Sequence, residues 1–214
     1  MASNPVSKLT EEQYLAIDRA AEFRSEFVDG EMFAMSGGTN RNGRIQRDLL
    51  VELSLALEEA TCEPFGSHNR VKVSSRAYVY PDVTVVCGER RAVNEDDDIL
   101  VNPVAIFEVL SPSTEKYDSG LKFQLYRTID SLRDYVLVSQ EQIRVEHFAR
   151  QPDGTWTLHD NQGPDQELKI DSIGIAIRLQ RIYRRVASRP LRNEPCADAN
   201  RPIQFVQDFE HFAL

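Results

Sequence analysis

The sequence lacks the features that mark several common classes of protein. No uninterrupted apolar run approaches the roughly 20 residues that span a bilayer, and the first residues have neither the basic start nor the apolar core of a secretory signal. These absences predict a soluble, cytoplasmic protein with no membrane partner. There is also no internal repeat, and the loop "SGGTNRNGR" does not end in the GK[ST] of a P-loop, so a nucleotide-binding fold is not expected.

Cysteine and positive charge are both scarce. Cys62, Cys87 and Cys196 are odd in number and form no CxxC pair, which predicts ordinary reduced thiols rather than a disulfide framework or a zinc site. The chain has 25 Lys and Arg against 34 Asp and Glu, a net charge of -9. Because nucleic-acid binding depends on neutralising phosphates, this balance weighs against a large nonspecific nucleic-acid surface. Any nucleic-acid role therefore needs a local basic site.

The apolar content is sufficient for one compact domain. With 214 residues, of which 41% are hydrophobic, the chain can bury a sizeable core, and two domains would be a tight fit. We expect one domain over residues 1–188. Residues 189–214 have the Pro, Asn, Asp and Arg bias of a loosely packed C-terminal extension.

Helical patterns come first along the chain. The stretch "LTEEQYLAIDRAAEF", with Thr10 as its cap, predicts a helix, and Asp29-Gly30 between two short apolar runs predicts a β-hairpin. Residues 44–60 predict an amphipathic helix, with Asp48 and Glu52 outside its apolar stripe. The residues of that stripe are Ile45, Leu49, Leu53, Ala56, Leu57 and Ala60.

Strand patterns dominate the middle of the chain. The runs "NRVKV", "YVYPDVTVVC" and "PVAIFEVL" predict a central sheet, followed by a helix with Leu121, Leu125 and Ile129 on its apolar stripe. "DYVLVS", "QIRVEHFAR" and "TWTLHD" predict a C-terminal antiparallel meander. The order predicts an α/β fold bordering on α+β, with a mixed central sheet flanked by helices.

Two carboxylates interrupt the most apolar strands. In "VAIFEVL", alternation places Glu108 in one row with Ile106 and Leu110, where an unpartnered charge would cost several kcal/mol. Asp82 follows Pro81 at the start of a strand or on an edge, where its side chain can face a cleft. Carboxylates that converge from neighbouring strands around an open position are suited to Mg²⁺.

These residues resemble a known nuclease superfamily. A Pro-Asp at a strand start, a Glu on the next strand and a Lys to follow are similar to the PD-(D/E)XK nucleases. The stretches "FVDGE", "YPDVTVVC", "FEVLSPSTEKYDSGLKFQLYR" and "RDYVLV" look more specifically like the Uma-two family of restriction-endonuclease-like proteins. The resemblance runs from about residue 25 to residue 186 and is strongest over 103–138, leaving the first helix and the tail outside it.

The resemblance implies a restriction-endonuclease-like core and a set of site residues. Asp82, Glu108 and the carbonyl of Val109 would hold Mg²⁺, with Mn²⁺ as a substitute. The superfamily lysine would fall at position 110, which here is Leu110. The resemblance implies a relocated lysine in "KFQLY", which is Lys122. Two supporting residues complete the implied site: Glu26 and Tyr126.

The implied activity is metal-dependent endonucleolytic hydrolysis of phosphodiester bonds, with DNA preferred to RNA and a homodimer as the assembly. A catalytically inactive module that binds nucleic acid or a protein is the main alternative, because Leu110 replaces the expected lysine. A phosphoesterase acting on small nucleotides is a third possibility. Glu108 with Lys122 could also form only a structural ion pair. The arginines of the last helical stretch either contact DNA or form a solvated face: Arg178, Arg181, Arg184 and Arg185.

Overall fold

The computed structural model describes residues 8–35, 38–91, 98–112 and 114–186. The predicted extension 189–214, together with Cys196, lies outside these ranges. The α-helices are α1 (Glu11–Ala20), α2 (Asn40–Ala56), α3 (Glu115–Tyr117), α4 (Phe123–Tyr126) and α5 (Leu179–Ile182). The strands are β1 (Ser25–Val28), β2 (Glu31–Ala34), β3 (Cys62–Gly66), β4 (Arg70–Ser74), β5 (Ala77–Val79), β6 (Val83–Cys87), β7 (Ile99–Leu100), β8 (Pro103–Leu110), β9 (Asp134–Ser139), β10 (Arg144–Arg150), β11 (Trp156–Gln162), β12 (Glu167–Ile170) and β13 (Ile175–Arg178).

The strands form two main sheets. One has five strands in the order β2-β1-β5-β4-β7, and the other has six in the order β11-β10-β9-β8-β6-β3. In the six-stranded sheet β8 and β9 are parallel and their connection contains α3 and α4, whereas the other neighbouring strands are antiparallel. The predicted mixed sheet flanked by helices is therefore confirmed.

Alternation along β8 separates two cores. Phe107 and Val109 face the core shared with α2, α5 and the β12–β13 hairpin, whereas Ile106 and Leu110 face the core shared with α4 and the five-stranded sheet. Glu108 lies in the second row, 3% exposed, as the alternation predicts. The buried charge is therefore located between the two sheets, next to α4.

The N-terminal elements form as the sequence predicts. Thr10 and Gln13 exchange side-chain and backbone hydrogen bonds in a capping box at the start of α1. Asp29 and Gly30 have φ values of 53° and 88°, the left-handed conformation that a tight type I′ hairpin requires. The hairpin places β1, and with it Glu26, inside the five-stranded sheet.

The run "YVYPDVTVVC" is not one continuous strand, whereas the expected strand start behind Pro81 is confirmed. The structure divides it into β5, which belongs to the five-stranded sheet, and β6, which belongs to the six-stranded sheet. Pro81 lies between them and has no N–H to donate, so a continuous ladder would lose a hydrogen bond there. The chain crosses from one sheet to the other at residues 80–82, and Asp82 lies at this crossing.

The second helix also departs from its prediction. It begins four residues early, at Asn40 behind the cap Thr39, and ends at Ala56. Asp48 and Glu52, expected on the solvent side, are 0% and 7% exposed. Arg184 covers both of them, so this face of α2 is buried by opposite charge rather than by apolar side chains.

The helix after β8 contains a π-helical segment over Asp118–Lys122, between α3 and α4. The extra residue in a π turn rotates the side chains that follow it. Leu121 was expected in the apolar stripe, but it is 42% exposed, whereas Lys122 and Tyr126 point inward at 5% and 0%. The local backbone thus gives a charged residue the position that an ordinary helix would give to a leucine.

Cys62 and Cys87 form a disulfide, which corrects the prediction of reduced thiols. The two residues face each other across the antiparallel β3–β6 pair. The sequence did not indicate this pairing because β3 was not predicted, and Pro64 within it is tolerated because β3 is an edge strand.

Candidate active site

Asp82 and Glu108 form a cross-strand pair where β6 begins beside the end of β8. Val83 lies opposite Phe107 in the register of these strands, so Asp82 falls opposite Glu108. The backbone N–H of Asp82 donates to Glu108 Oε2 at 3.3 Å, and the backbone N–H of Val109 donates to Asp82 Oδ2 at 2.6 Å. Each carboxylate therefore bonds to the neighbouring strand, and both line one cavity of about 590 Å³.

Lys122 lies among three carboxylates. Its Nζ is 2.9 Å from Glu26 Oε1, 3.0 Å from Glu108 Oε1 and 3.4 Å from Asp118 Oδ1. All four side chains are almost entirely buried. Because Glu26 belongs to the five-stranded sheet and Glu108 to the six-stranded sheet, one ammonium group bonds to both layers.

Tyr126 completes the hydrogen bonding of Glu108. Its hydroxyl donates to Glu108 Oε1 at 2.8 Å, on the same oxygen that accepts from Lys122. Burial raises the pKa of Tyr126 well above its ordinary value, so the hydroxyl keeps its proton and remains a donor. The π-helical segment makes this arrangement possible, because it directs both side chains towards β8.

Two amides of α2 bond to the remaining oxygens of the site. Gln46 Nε2 donates to Asp82 Oδ1 at 2.7 Å, and Asn42 Nδ2 donates to the carbonyl oxygen of Val109 at 2.8 Å. The two amides also bond to each other at 2.6 Å, one helical turn apart. Helix α2 therefore positions the oxygens of Asp82 and Val109 through these two amides.

The site has more acid than base, and its pKa shifts reflect this. Burial raises the pKa of Asp82 to about 6, against the lowering effect of the backbone hydrogen bond that it accepts. Burial also raises the pKa of Glu108 well above its ordinary value and, to a smaller extent, that of Asp118. Burial by itself lowers the pKa of Lys122, but the carboxylates around it outweigh burial, so the ammonium group remains charged.

Most of the described chain matches one protein family. The family Uma2, described as "Putative restriction endonuclease", matches residues 11–180. The chain belongs to the Uma2 family. Two proteins of Synechocystis sp., both named as uncharacterized, are similar to it. The protein slr1290 is 34% identical over 186 residues, which are 86% of this chain and 96% of that protein, and sll1609 is 33% identical over 168 residues, which are 78% and 95%.

A solved structure shares the fold. The crystal structure of "a putative nuclease belonging to DUF820" from Anabaena variabilis matches with a TM-score of 0.67 and 15% identity, over 82% of this chain and 98% of that one. At this identity the likeness concerns the fold alone, and it confirms the predicted restriction-endonuclease-like α/β architecture. The Uma2 match starts at residue 11, so α1 lies inside the family region, contrary to the narrower range expected from the sequence.

The residues expected for a Uma2 site come together in the structure. Glu108 accepts hydrogen bonds from the Asp82 backbone and from the side chains of Lys122 and Tyr126, and Lys122 also pairs with Glu26. The carbonyl group of Val109 lies beside them. Their catalytic and metal-binding roles remain predictions.

The position of the superfamily lysine is apolar in this Uma2 chain. Leu110 is 6% exposed and packs in the core between the two sheets. Lys122 approaches Glu108 from the helix instead, so an ammonium group still reaches the carboxylate.

Several site residues were missed or underrated by sequence reasoning. Asn42 belongs to the loop stretch "SGGTNRNGR", from which Asn40 or Asn42 could face the site, whereas the spacing of Asp118 and Lys122 indicates only an ordinary helical pair and Gln46 belongs to no recognisable motif. The i, i+4 spacing of Asn42 and Gln46 on one helix face was the available signal. Nothing in the sequence indicated that this face of α2 would meet the strand carboxylates.

The oxygen ligands fit a divalent cation. The cluster holds four carboxylates, of Glu26, Asp82, Glu108 and Asp118, against the one ammonium group of Lys122. No group of three or more Asp, Glu, His or Cys side chains is arranged to hold a metal by itself within the ranges that the structure describes. Mg²⁺ commonly has one or two protein carboxylates and takes its other ligands from water and substrate phosphate. A site with two carboxylates and one carbonyl leaves the remaining positions to water and substrate, and this is the kind of site that Mg²⁺ commonly occupies in proteins.

Three of the C-terminal arginines pair with carboxylates of α2, although Arg181 and Arg185 remain more than half exposed. Arg181 Nε lies 3.0 Å from Glu52, and Arg184 lies 3.3 Å from Glu52 and 3.6 Å from Asp48. This arrangement supports the structural interpretation of that stretch. No helix within the described ranges is both long and apolar enough to cross a membrane.

Proposed function

We propose that the protein is a divalent-metal-dependent endonuclease that hydrolyses phosphodiester bonds, with DNA preferred to RNA. One observation carries the proposal: the cross-strand carboxylates Asp82 and Glu108 share a cavity with a buried lysine that contacts Glu108 directly. Membership of a restriction-endonuclease-like family supports it. The preference for DNA rests on analogy with the fold.

The protein supplies the ligands and the electrostatics of this reaction. Asp82, Glu108 and the Val109 carbonyl would hold Mg²⁺ or Mn²⁺, which when bound supplies Lewis-acid activation of water and neutralises phosphate charge. Lys122 has a buried positive charge beside Glu108 and would stabilise the negative charge that develops on a phosphate under attack. Gln46 and Asn42 keep the oxygens of Asp82 and Val109 in position. The water oxygen forms a new P–O bond as the P–O bond to the leaving oxygen breaks, one proton of the water passes to the leaving oxygen, and the other stays on the phosphate product or is released to solvent.

A second candidate function is a binding module without catalysis. It is favoured by the apolar Leu110 and by the donors that already bond to the candidate ligands, namely Gln46 on Asp82 and Lys122 on Glu108. The small-nucleotide phosphoesterase also remains a candidate, because a cavity of about 590 Å³ is within the range of small-molecule sites.

The deciding experiment combines cleavage with metal binding. Purified protein is incubated with plasmid and linear DNA, a matched RNA and a nucleotide monoester in Mg²⁺, Mn²⁺ or EDTA. The endonuclease proposal predicts metal-dependent cleavage of DNA by the wild type and no cleavage by Asp82→Asn. It also predicts that Mn²⁺ stabilises the wild type against thermal unfolding and does not stabilise Asp82→Asn. Intact nucleic acid together with identical Mn²⁺ responses of both proteins would contradict the proposal. Stabilisation without cleavage would favour a module.

The assembly and the location remain predictions. A homodimer would allow both strands of a duplex to be cut, and sedimentation of the purified protein measures it directly. A cytoplasmic location is expected from the sequence, although the Cys62–Cys87 disulfide is a feature that reducing compartments seldom preserve.

A further inference from the structure

A second cavity, of about 660 Å³, opens on a different face of α4 from the acidic site. Lys122 and Tyr126 of this helical region face the carboxylates, whereas Phe123 and Arg127 line the second cavity together with β10 and β11. One short helix therefore separates the two spaces. A ligand in the second cavity would lie beside the element that positions the candidate catalytic lysine.

Aromatic rings form the floor of this cavity. Phe123 stacks on Tyr135 with ring centroids 5.2 Å apart, and it meets Phe148 at 4.6 Å and the edge of Trp156 at 5.4 Å. Trp156 is only partly buried, and the neighbouring Leu158 is 48% exposed. The rings are thus held rigidly from below while part of their surface remains open to a ligand.

Guanidinium groups lie over these rings. Arg127 is 5.5 Å from the centroid of Phe123, and Arg150 is 5.9 Å from the centroid of Trp156. A guanidinium that lies over a ring keeps N–H donors at its rim, where they can bond to a phosphate. The two groups therefore combine a stacking surface with donors for an anion.

This surface is basic, in contrast to the chain as a whole. Arg127, Arg133 and Arg150 form no ion pair with a carboxylate within the described ranges, and the last two also line an adjoining cavity. The residues that line the larger cavity include two arginines and no acidic side chain. In a chain with a net charge of -9, this is the kind of local basic site that contact with nucleic acid requires.

We propose that this aromatic–arginine face binds a single strand of nucleic acid. Unpaired bases expose the ring faces that stack on aromatic side chains, and the arginines match the phosphates. The choice of a nucleic acid rests on the proposed nuclease function, which gains a second contact to the strand next to its acidic site. A second copy of this chain is the competing occupant, since Leu158 and the rings are apolar.

The test uses a feature of the composition. Trp156 is the only tryptophan in the chain, so intrinsic tryptophan fluorescence reports this cavity alone. The full chain in EDTA is titrated with an oligothymidylate of about 15 nucleotides, a length within the usual site sizes of single-strand binders. Binding at this face quenches the emission, and the same length of blunt duplex quenches it less.

Variants separate this contact from general attraction. Arg127→Ala weakens binding and lowers the slope of log K against log salt by about 0.7, the value for one phosphate on a single strand. Trp156→Ala, followed by anisotropy of a labelled strand, weakens binding by about fivefold or more. Arg178→Ala is the matched control, because it removes an exposed arginine on β13 whose side chain is 63% exposed, and it leaves the affinity unchanged.

The outcomes also distinguish this inference from the nuclease proposal. If the oligonucleotide quenches tryptophan fluorescence in EDTA in both the wild type and Glu108→Gln, the result supports strand binding at this face whether or not the protein cuts DNA. If the wild type cleaves DNA without any change in tryptophan emission, the strand-binding proposal for this face is overturned and the nuclease proposal still stands. Emission that changes with protein concentration alone, with dimers in sedimentation, identifies the face as an interface between copies and also overturns the proposal.

Discussion

Two clusters of buried carboxylates in this molecule differ in their balance of charge. At the acidic site, Lys122 is the one ammonium group among four carboxylates, and the cluster opens into a cavity. The second cluster, on another face of α2, contains the carboxylates of Asp48 and Glu52. Four arginines cover these carboxylates: Arg47, Arg181, Arg184 and Arg185.

The difference distinguishes a stabilising ion cluster from a site that can bind a ligand. In the arginine-covered cluster every carboxylate has a cation, so no further positive ligand is needed. In the acidic site burial raises the pKa values of Asp82 and Glu108, and the surplus of carboxylates over ammonium groups favours a divalent cation or protons. Burial alone would not separate the two, because Asp48 is as buried as Glu108.

The most direct test of this comparison substitutes one glutamate from each cluster. Glu108→Gln should reduce DNA cleavage by about 1,000-fold, because it removes a ligand charge from the reacting centre. Glu52→Gln, the matched change in the arginine-covered cluster, should leave cleavage within about twofold of wild type. Cleavage rates at saturating Mg²⁺ measure both. Equal activity losses in the two variants would remove the proposed distinction.

Lys122→Met should reduce cleavage by about 100-fold and also destabilise the protein in a pH-dependent manner. Burial already raises the pKa values of Glu108 and Asp118, and without the ammonium group these two carboxylates can avoid repulsion only by taking up protons. The loss of unfolding free energy should therefore be small near pH 5 and should reach about 3 kcal/mol near pH 8. Denaturant titrations at the two pH values measure this loss. Lys116→Met, an exposed lysine on α3, is the control and should change neither quantity.

Asp48→Asn should lower the free energy of unfolding by about 1–3 kcal/mol with no loss of cleavage. The side chain is fully buried, and the change leaves the arginines around it without their partner. Urea unfolding followed by circular dichroism measures the effect. An Asp48→Asn protein that is as stable as wild type but inactive would place this cluster, and not the acidic site, in the function.

The smallest expected effect concerns pH in the absence of metal. Burial raises the pKa of Asp82 from 3.8 to about 6, so the folded protein keeps a proton that the unfolded chain releases. The contribution of Asp82 to stability is therefore full below about pH 4 and is lost as the pH rises through 6. Asp82→Asn does not lose this stability as the pH rises. The melting temperature of Asp82→Asn minus that of the wild type should therefore increase by about 3–6 °C between about pH 5 and about pH 7.5 in EDTA.

Adding Mn²⁺ should raise the melting temperature of the wild type more than that of Asp82→Asn, because only the wild type keeps the full ligand set. A melting-temperature difference that is constant across this pH range would mean that Asp82 titrates normally in the folded state. That result would contradict the conclusion that burial raises the pKa of Asp82.

The sequence predicted the parts of the fold that local patterns determine. Thr10 with Gln13, Asp29-Gly30 and the alternation in β8 depend on neighbouring residues only, and the structure confirms all three. The candidate site could be predicted from the sequence because the carboxylate of Glu108 interrupts an apolar row of β8. The family resemblance then directed attention to Lys122.

The remaining features depend on contacts between distant residues. The burial of Asp48 requires Arg184, far along the chain, and the disulfide requires the unpredicted strand β3. The inward position of Lys122 requires a π turn, which no propensity of its residues indicates. In each case a tertiary partner, absent from any local window, determined where the side chain lies.

The contact of Lys122 with both Glu26 and Glu108 has a mechanical consequence. The five-stranded and six-stranded sheets are tied across the cavity by a single ammonium group. An anion that attracted this ammonium group would compete with both contacts at once, so anion binding would also weaken the link between the two layers.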